Sequence, residues 1–328
     1  MKAWVQHTTG GIDVLELAEI MTPEPGPMQV LVRNRAVGLN PVDWKFVEWG
    51  HPDWAFPHVS GVDGAGEIAA IGKGVTHLTP GMRVAYHQNL VHHGSFAEST
   101  VIPAYAAIPL PDGLSFEAAA TIPCPGLTAW QAIEKVNIPA GSHVVLTGAS
   151  GAVGGALLQL ARSRGWIVHA AASPSEHLRV LKLGAAEAID YKQEDWIGRL
   201  RALSSASPFR AVFDVVNGEH AARLAALLGV NGHLVCIQDR QEKPPFAPFT
   251  TTLSLHEVGL NAMHGHGDDR QQWGNLVAAG TAIADAIVMG QFDPQIIEVA
   301  PFSALPQALE RLRNGPNPGN RVVTLASE

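Results

Sequence analysis

The stretch VVLTGASGAVGG, residues 144–155, decides the fold of this chain. Its apolar start predicts a buried strand, and AVGGALLQLARSRG after it predicts an amphipathic helix. The turn between them has Ala149, Gly151 and Gly154 at the G-x-G-x-x-G spacing, with alanine at the first glycine position. Glycine there lets the backbone approach a pyrophosphate at a helix N-terminus. We therefore predict a dinucleotide-binding turn, the alternative being a tight turn without a ligand. The predicted contact residues are Gly148, Ala149, Ser150, Gly151, Ala152 and Val153.

Strand-like and helix-like segments alternate through the chain that follows. The predicted later strands are WIVHAAAS, AEAIDY, AVFDVVNG, HLVCIQ and EVGLNAMH, which ends at residue 264. This alternation predicts a parallel sheet with right-handed crossovers, and six strands predict a complete doubly wound sheet. EVGLNAMH is last in order, so we expect it at a sheet edge, where strands tend to be paired or covered. That expectation favours a homodimer.

The first 115 residues have a different pattern. Short apolar runs such as MKAWVQ, GAGEIAAIG and MRVAYH are separated by Gly and Pro, which predicts an irregular antiparallel barrel-like domain. The final predicted strand, NRVVTLAS at 320–327, could return to it. We therefore predict an α/β protein with a β-rich domain (1–118 and 268–328). The second domain (119–267) is predicted to be a Rossmann domain with a six-stranded parallel sheet.

Composition limits the classes of partner and the cellular location. Twenty-two basic residues against 30 acidic residues give a net charge of −8, which argues against nucleic acid as a main partner. No apolar stretch is long enough to span a membrane, and the N-terminus lacks the apolar core of a secretory signal. The two cysteines are not a close pair, so a disulfide scaffold is not indicated. We expect a cytoplasmic protein with a small-molecule substrate.

The tip of the second predicted strand favours NADP(H) over NAD(H). NAD enzymes usually place an acid there to bind the ribose 2′-hydroxyl. This strand ends Ala172-Ser173-Pro174, and the first acid is Glu176. Ser173, His177 and Arg179 could donate to a 2′-phosphate. The sequence SPSE, residues 173–176, also predicts a capping box, and Ser173 could serve both roles.

Motifs along nearly the whole chain resemble the zinc-independent medium-chain dehydrogenases/reductases, in the quinone oxidoreductase, zeta-crystallin-like branch. They are VGLNPVDWK (37–45), GVDGAG (61–66), GSFAE (94–98), PGLTAW (125–130), the glycine turn, LGA (183–185), IDY (189–191) and FD (213–214). The resemblance implies a GroES-like catalytic domain, a Rossmann domain and a cofactor in the cleft between them.

The resemblance also implies roles for individual residues. Asn40 and Lys45 would face the nicotinamide and the substrate, and Thr128 would touch the cofactor. Ser173 and Tyr191 would surround the 2′-phosphate, although Glu176 stands where some relatives have lysine. The residues implied to line the nicotinamide end are Val216, Ile237 and Met263.

A catalytic zinc is not expected, because it needs three protein ligands. The resemblance aligns Asn40, Val62, Asp63 and Cys124 with the Cys, His, Glu and third-ligand positions of zinc-dependent relatives. One thiolate cannot hold the metal alone, so we predict no metal. The histidines at positions 87, 92, 93, 264 and 266 are interpreted as solvated loop residues, with a substrate-facing role for His92 or His93 as the alternative.

Without a Lewis acid, we expect hydride transfer from NADPH to an acceptor that is already electron-poor. A quinone is the first choice; the alternatives are an alkenal or enone, and a non-catalytic, crystallin-like NADPH-binding protein. Asn40 could bind an acceptor oxygen or the nicotinamide ribose, and Lys45 could stabilise developing negative charge. Asn40 to Asp43 could equally be a capped turn, with Asp43 fixing local structure. The aromatic stretch 44–54 is interpreted as a pocket wall for a flat substrate or as core.

Overall fold

The computed structural model describes residues 1–325, apart from the side chain of Ala206. The chain forms two compact units. Unit 1 consists of Met1–Leu127 and the chain from Asn261 onward, and unit 2 is Thr128–Leu260. The bounds of the functional domains given above, 1–118 with 268–328 and 119–267, stay a prediction.

Strands and helices are numbered in chain order. The strands are β1 Lys2–Gln6, β2 Glu16–Glu19, β3 Gln29–Leu39, β4 His58–Val59, β5 Asp63–Ile71, β6 Arg83–His87, β7 Ser99–Pro103, β8 Ile108–Pro109, β9 His143–Leu146, β10 Ile167–Ala172, β11 Glu187–Asp190, β12 Phe209–Asp214, β13 Leu228–Cys236, β14 Ser254–Glu257, β15 Ile296–Pro301 and β16 Asn320–Thr324. The α-helices are α1 Pro41–Trp49, α2 Phe116–Ala119, α3 Leu127–Glu134, α4 Ala152–Ser163, α5 His177–Leu183, α6 Trp196–Ala206, α7 Gly218–Ala225, α8 Arg270–Val288 and α9 Leu305–Asn314. Short 3-10 segments cover Ile12–Val14, Ala104–Ala106, Pro174–Glu176, Leu260–His266 and Phe302–Ala304. Ile122–Gly126 forms a π turn. Within residues 1–325, no helix has the length and apolar character needed to cross a bilayer.

Unit 2 contains a parallel sheet of six strands in the order β11-β10-β9-β12-β13-β14. This is the doubly wound order: β10 and β11 lie on one side of β9, and β12, β13 and β14 lie on the other. Val144, Val145 and Leu146 of β9 are fully buried, as expected for a central parallel strand covered on both faces. Leu200 of α6 and Leu224 of α7 pack in one core cluster with Val145. The predicted Rossmann fold is confirmed.

Unit 1 is β-rich, as predicted. Its larger sheet has the order β15-β16-β3-β5-β6-β8, with β7 paired to β3, and its smaller sheet has the order β2-β1-β4. All pairings in both sheets are antiparallel except β15 with β16. The predicted return of the last strand is confirmed, because β16 pairs with β3 from Arg321 opposite Leu39 to Thr324 opposite Ala36. Ala326 and Ser327 of that predicted strand lie outside the described residues.

The predicted last strand of the parallel sheet, EVGLNAMH, is wrong in its position. The edge strand β14 is Ser254–Glu257, and the chain then forms the 3-10 turn Leu260–His266. A side-chain contact fixes this turn: the Asn261 Oδ1 accepts the Leu90 N–H at 3.1 Å, within unit 1. The apolar residues of 258–263 therefore follow the sheet and are not part of it.

Candidate active site

The glycine turn, residues 148–155, connects β9 to α4 in unit 2. Gly148 has a φ of +59°, a conformation that glycine adopts without strain. A Cβ on Gly154 would lie 2.2 Å from the Gly148 carbonyl oxygen, so the helix and the turn can approach this closely only with glycine there. A Cβ on Gly151 would meet only the Gly148 oxygen, at 3.5 Å. The backbone at Gly151 is therefore open to a ligand.

The N-terminus of α4 supplies donors for an anion at this turn. Gly151 is the N-cap residue, and it has no side chain to satisfy the first-turn amides. Those amides have no intrahelical acceptor, and the dipole of this 12-residue helix adds partial positive charge. The turn and the helix N-terminus together fit a pyrophosphate.

The other residues implied for the dinucleotide in unit 2 follow neighbouring strands at the same edge of the sheet. Ser173 follows β10, Tyr191 follows β11, Val216 lies two residues after β12, and Ile237 follows β13. The carboxyl ends of parallel strands meet at one edge, and the glycine turn follows β9 there. The structure therefore brings these positions to the edge where doubly wound sheets bind ligands. Thr128 is half-buried in the first turn of α3.

A buried carboxylate that sequence reasoning treated only as part of a motif organises this edge. Asp214 is 2% exposed and accepts hydrogen bonds from the Thr147 hydroxyl at 2.6 Å and from the Val216 and Asn217 N–H groups at 3.2 and 3.0 Å. The His220 Nδ1 lies 2.6 Å from it. Asp214 thus joins the end of β9 to the turn after β12, which fixes the loop that carries Val216.

The hydrogen bonds at the tip of β10 differ from those predicted from the sequence. Ser173 makes no capping hydrogen bond, so the predicted capping box is wrong. Glu176, its intended partner, binds Arg179 instead, with Nε 2.9 Å from Oε2. Arg179 also donates to the Ser150 carbonyl oxygen in the glycine turn. Arg179 therefore links the tip to the glycine turn, while Glu176 places a negative charge beside it. Tyr191 is 47% exposed at the neighbouring strand end.

In unit 1, Asn40 belongs to a buried hydrogen-bond network, here called the Asn40 network (Asn40, Asp43, Val62, Asp63 and Cys124). The Asn40 N–H donates to Asp43 Oδ2 at 2.6 Å, and the Val62 N–H donates to Asp43 Oδ1 at 3.0 Å. The Asn40 Nδ2 donates to Asp63 Oδ2 at 2.9 Å, and Asp63 also accepts the Cys124 N–H at 2.9 Å. Hydrogen bonds thus connect the four positions that the resemblance aligns with zinc ligands. Asp43 fixes local structure, as the sequence suggested.

Burial disfavours charge on both carboxyl groups of the network. It raises the pKa of Asp43 to about 7, against the lowering effect of the two backbone hydrogen bonds. Burial also raises the pKa of Asp63 well above its usual value, with the Cys124 N–H opposing and the Asp43 charge adding to the shift. Two neighbouring buried carboxyl groups favour a state in which at least one is protonated.

Lys45 lies on α1 beside aromatic rings. Its Nζ is 5.8 Å from the centroid of Trp44 and 5.9 Å from that of Trp49, which are cation–π distances. Partial burial lowers the pKa of Lys45. A helix turns by roughly 100° per residue, so Lys45 lies on a different face of α1 from Asp43. Met263 is half-buried in the 3-10 turn that follows β14.

The histidines of unit 1 include a hydrogen-bonded pair, of which His87 is buried and His264 is half-buried. His87 ends β6, is 6% exposed, and its Nδ1 lies 3.1 Å from Nε2 of His264. The interpretation of these two as solvated loop residues is wrong, whereas His92, His93 and His266 are exposed. Burial lowers the pKa of His87 well below its usual value and that of His264 to about 4. Within residues 1–325, no group of three or more His, Cys, Asp or Glu side chains is arranged to hold a metal ion.

The His87–His264 pair predicts acid sensitivity. The pKa of His264 is about 4 in the folded protein and 6.5 in the unfolded chain, so the unfolded chain binds more protons between these values. Stability is therefore lost as pH falls from 6.5 towards 4. We expect His264→Phe to remove roughly 2–3 kcal/mol of the stability difference between pH 7 and pH 4. Urea unfolding at the two pH values measures it, with exposed His77→Phe as control; an unchanged difference in His264→Phe would contradict the prediction.

Two known protein families match parts of this chain. Residues 26–112 match the alcohol dehydrogenase GroES-like domain, and residues 183–323 match the zinc-binding dehydrogenase domain. The fold agrees over 99% of this chain and 100% of the chain of the Escherichia coli quinone oxidoreductase solved with NADPH, with a TM-score of 0.86 at 24% identity.

Two curated relatives match parts of the chain more closely. A trans-enoyl reductase of Aspergillus terreus is 38% identical over 57% of this chain and 67% of its own length. The quinone oxidoreductase of Pseudomonas aeruginosa is 34% identical over 63% of this chain, and the match covers 64% of that relative, less than two thirds. The chain therefore belongs to the medium-chain dehydrogenase/reductase superfamily, in its quinone oxidoreductase branch, as the resemblance predicted.

Proposed function

We propose that this protein is a zinc-independent reductase that transfers a hydride from NADPH to a quinone. The Asn40 network carries the proposal. Asn40 and Asp63 stand at positions that the resemblance aligns with zinc ligands. Here their side chains hydrogen-bond to each other instead. A buried amide held in this way suits an acceptor that needs orientation and a hydrogen bond more than strong polarisation.

Unit 2 binds the cofactor in this proposal, and bound NADPH supplies the hydride. The glycine turn and the first amides of α4 hold the pyrophosphate, and Asp214 keeps the loop of Val216 in place. In unit 1, Asp63 accepts one of the two Nδ2 hydrogens of Asn40. The second hydrogen can donate to the acceptor oxygen, where negative charge develops during reduction. Lys45 adds positive charge on the same helix.

A reductase of α,β-unsaturated carbonyls is the second candidate, because the trans-enoyl reductase of Aspergillus terreus is 38% identical to this chain over the matched region. The test is NADPH oxidation by the purified protein against a panel of quinones and enones. Faster turnover of quinones than of enones supports the first proposal, and the reverse supports the second. Tight NADPH binding with no turnover of any acceptor would contradict both and favour a non-catalytic role.

NADPH rather than NADH is the proposed cofactor, because the tip of β10 has no acid directly after the strand. The Glu176 carboxylate competes for Arg179, with Oε2 2.9 Å from Nε. We expect Glu176→Gln to lower the NADPH dissociation constant about twofold to fivefold and to leave NADH binding unchanged, since the ion pair of Glu176 with Arg179 is worth up to about 1 kcal/mol. Fluorescence titration with both cofactors measures this. Glu310→Gln is the matched charge control on α9, and equal gains for NADH and NADPH would count against a 2′-phosphate site at Arg179.

We further propose that the protein is a cytoplasmic homodimer. Support comes from β14, which among residues 1–325 pairs only with β13 and has its other edge open. Leu255 on this edge strand is 38% exposed. Light scattering of the purified protein tests the dimer, and a monomeric mass would contradict it.

A further inference from the structure

A small pocket in unit 1 contains a buried imidazole whose Nε2 has no partner. His58 is 2% exposed, and its ring stacks on Trp54 with a centroid distance of 3.8 Å and an interplanar angle of 16°. Its Nε2 makes no hydrogen bond. This pocket, here called the His58 pocket, is lined by the His58 ring and by other residues that include Asp43, Trp54, Ser60, Val62 and Leu90.

An unpartnered buried nitrogen needs a physical reason, because its desolvation costs about 1–3 kcal/mol. The neighbouring polar groups are already engaged elsewhere. The Trp54 indole donates to the Leu90 carbonyl at 2.7 Å, the Ser60 hydroxyl donates to Gln6 at 2.9 Å, and both Asp43 oxygens accept backbone N–H groups. Among the buried side chains that line the pocket, His58 therefore offers the open polar position; half-buried Asn89 and exposed His92 line it as well.

The size and charge of the pocket limit what can bind there. The free space holds about one water-sized atom, so it can take an oxygen at the edge of a ligand but not a whole ring. Burial, together with His93, His92 and His51, lowers the pKa of His58 to about 3. The imidazole is therefore neutral at pH 7, and its Nε2–H tautomer is a donor suited to a carbonyl oxygen.

The pocket also borders the Asn40 network. Asp43 and Val62 line the pocket, and Asp43 accepts the Asn40 N–H at 2.6 Å. A ligand oxygen at His58 would therefore lie beside Asp43, the residue that holds the Asn40 backbone.

We propose that the His58 pocket binds the second oxygen of a two-carbonyl acceptor, a para-quinone, through a hydrogen bond donated by His58 Nε2. This inference rests on the proposed function, in which Asn40 holds the first oxygen. An enone with one oxygen can occupy only one of these two positions. His58 therefore favours quinones over enones, and it contributes to binding rather than to hydride transfer.

Steady-state kinetics of His58→Phe and His58→Gln test the proposal, with 1,4-benzoquinone and 2-cyclohexenone as acceptors. Phenylalanine keeps an aromatic ring against Trp54 and removes the donor, whereas glutamine can place an amide N–H near the Nε2 position. We expect His58→Phe to raise the KM for benzoquinone about tenfold, the value of one lost hydrogen bond, with kcat little changed. The KM for cyclohexenone should stay constant, and His58→Gln should recover most of the quinone KM. Exposed His77→Phe is the control.

An equilibrium measurement separates this inference from the proposed function. Binding of 1,4-hydroquinone is followed by tryptophan fluorescence, which needs no turnover. Weaker binding to His58→Phe than to the wild type supports the pocket even if no acceptor is reduced, in which case only the reductase proposal fails. The proposal would be overturned by equal binding of hydroquinone to the wild type and His58→Phe, by no binding to the wild type, or by an equal rise of both KM values. A water molecule would then be the occupant of the pocket.

Discussion

Gly154→Ala is expected to raise the dissociation constant for NADPH at least about a hundredfold. The new Cβ would lie 2.2 Å from the Gly148 carbonyl oxygen and 2.8 Å from the Ala149 Cα, and both are backbone atoms that cannot rotate away. The start of α4 must therefore move away from the turn, which misplaces the first-turn amides. We also expect the free energy of unfolding to fall by about 1–3 kcal/mol from overpacking. Fluorescence titration with NADPH and urea unfolding measure the two effects.

Two other glycine substitutions separate folding from binding. Gly274→Ala in α8 meets no atom within 4 Å, so it should leave NADPH binding unchanged and stabilise the protein by about 0.4–1 kcal/mol. The Cβ of Gly151→Ala meets only the Gly148 oxygen, at 3.5 Å, so this variant should fold normally. Because the added methyl group would lie where the backbone is open to a ligand, NADPH should bind at least about tenfold more weakly. Normal NADPH binding by Gly154→Ala and Gly151→Ala would mean that the pyrophosphate does not lie at this turn.

Asp63→Ala is expected to show the largest loss in unit 1. Asp63 is fully buried and accepts hydrogen bonds from Asn40 Nδ2 and the Cys124 N–H, both at 2.9 Å. Its removal takes the acceptor from the buried Asn40 amide and from the half-buried Cys124 N–H, which costs about 1–4 kcal/mol in total. The amide of Asn40 also loses the contact that sets its orientation, so we expect kcat with quinones to fall about tenfold to a hundredfold. Urea unfolding and NADPH oxidation measure the two losses.

A double-mutant cycle with Asn40→Ala shows whether Asp63 acts through Asn40. If it does, Asp63→Ala should reduce kcat little further once Asn40 is alanine, because residues in one network are not additive. Asp63→Asn keeps one acceptor oxygen and should lose less of both stability and kcat. Fully additive losses in kcat would contradict a positioning role and leave Asp63 with a purely structural one.

The parts of the fold that depend on local sequence could be predicted. The glycine turn, the strand before it and the helix after it are contiguous, so their residue types determine the geometry directly. β16 was also recognisable, because NRVVT is a short β-branched run at the end of a helix-rich segment. EVGLNAMH could not be placed correctly, since its apolar residues fit a strand and only the contact of Asn261 with Leu90 reveals the turn.

The site was less predictable, because its important contacts join distant parts of the chain. Asp63 and Cys124 are 61 positions apart, and His87 and His264 are 177 apart, so neither pairing leaves a local pattern. His58 follows the aromatic stretch 44–54, and its burial against Trp54, which only the structure shows, distinguishes it from a surface histidine. Glu176 and Arg179 are three residues apart, a spacing that favours an ion pair on a helix. This spacing was the signal in the sequence that Glu176 would bind Arg179 and not form a capping box with Ser173.

The chain path through unit 1 has a consequence for synthesis on the ribosome. β16 lies between β15 and β3, so the larger sheet joins a strand from residues 29–39 to one from residues 320–324. Unit 2 is continuous, from Thr128 to Leu260, and its strands are all available once that segment has left the exit tunnel. The nascent chain therefore completes unit 2 first, while residues 36–39 of β3 wait for a partner made nearly 300 residues later. During that interval the edge of β3 from Ala36 to Leu39 stays open to pairing with other chains.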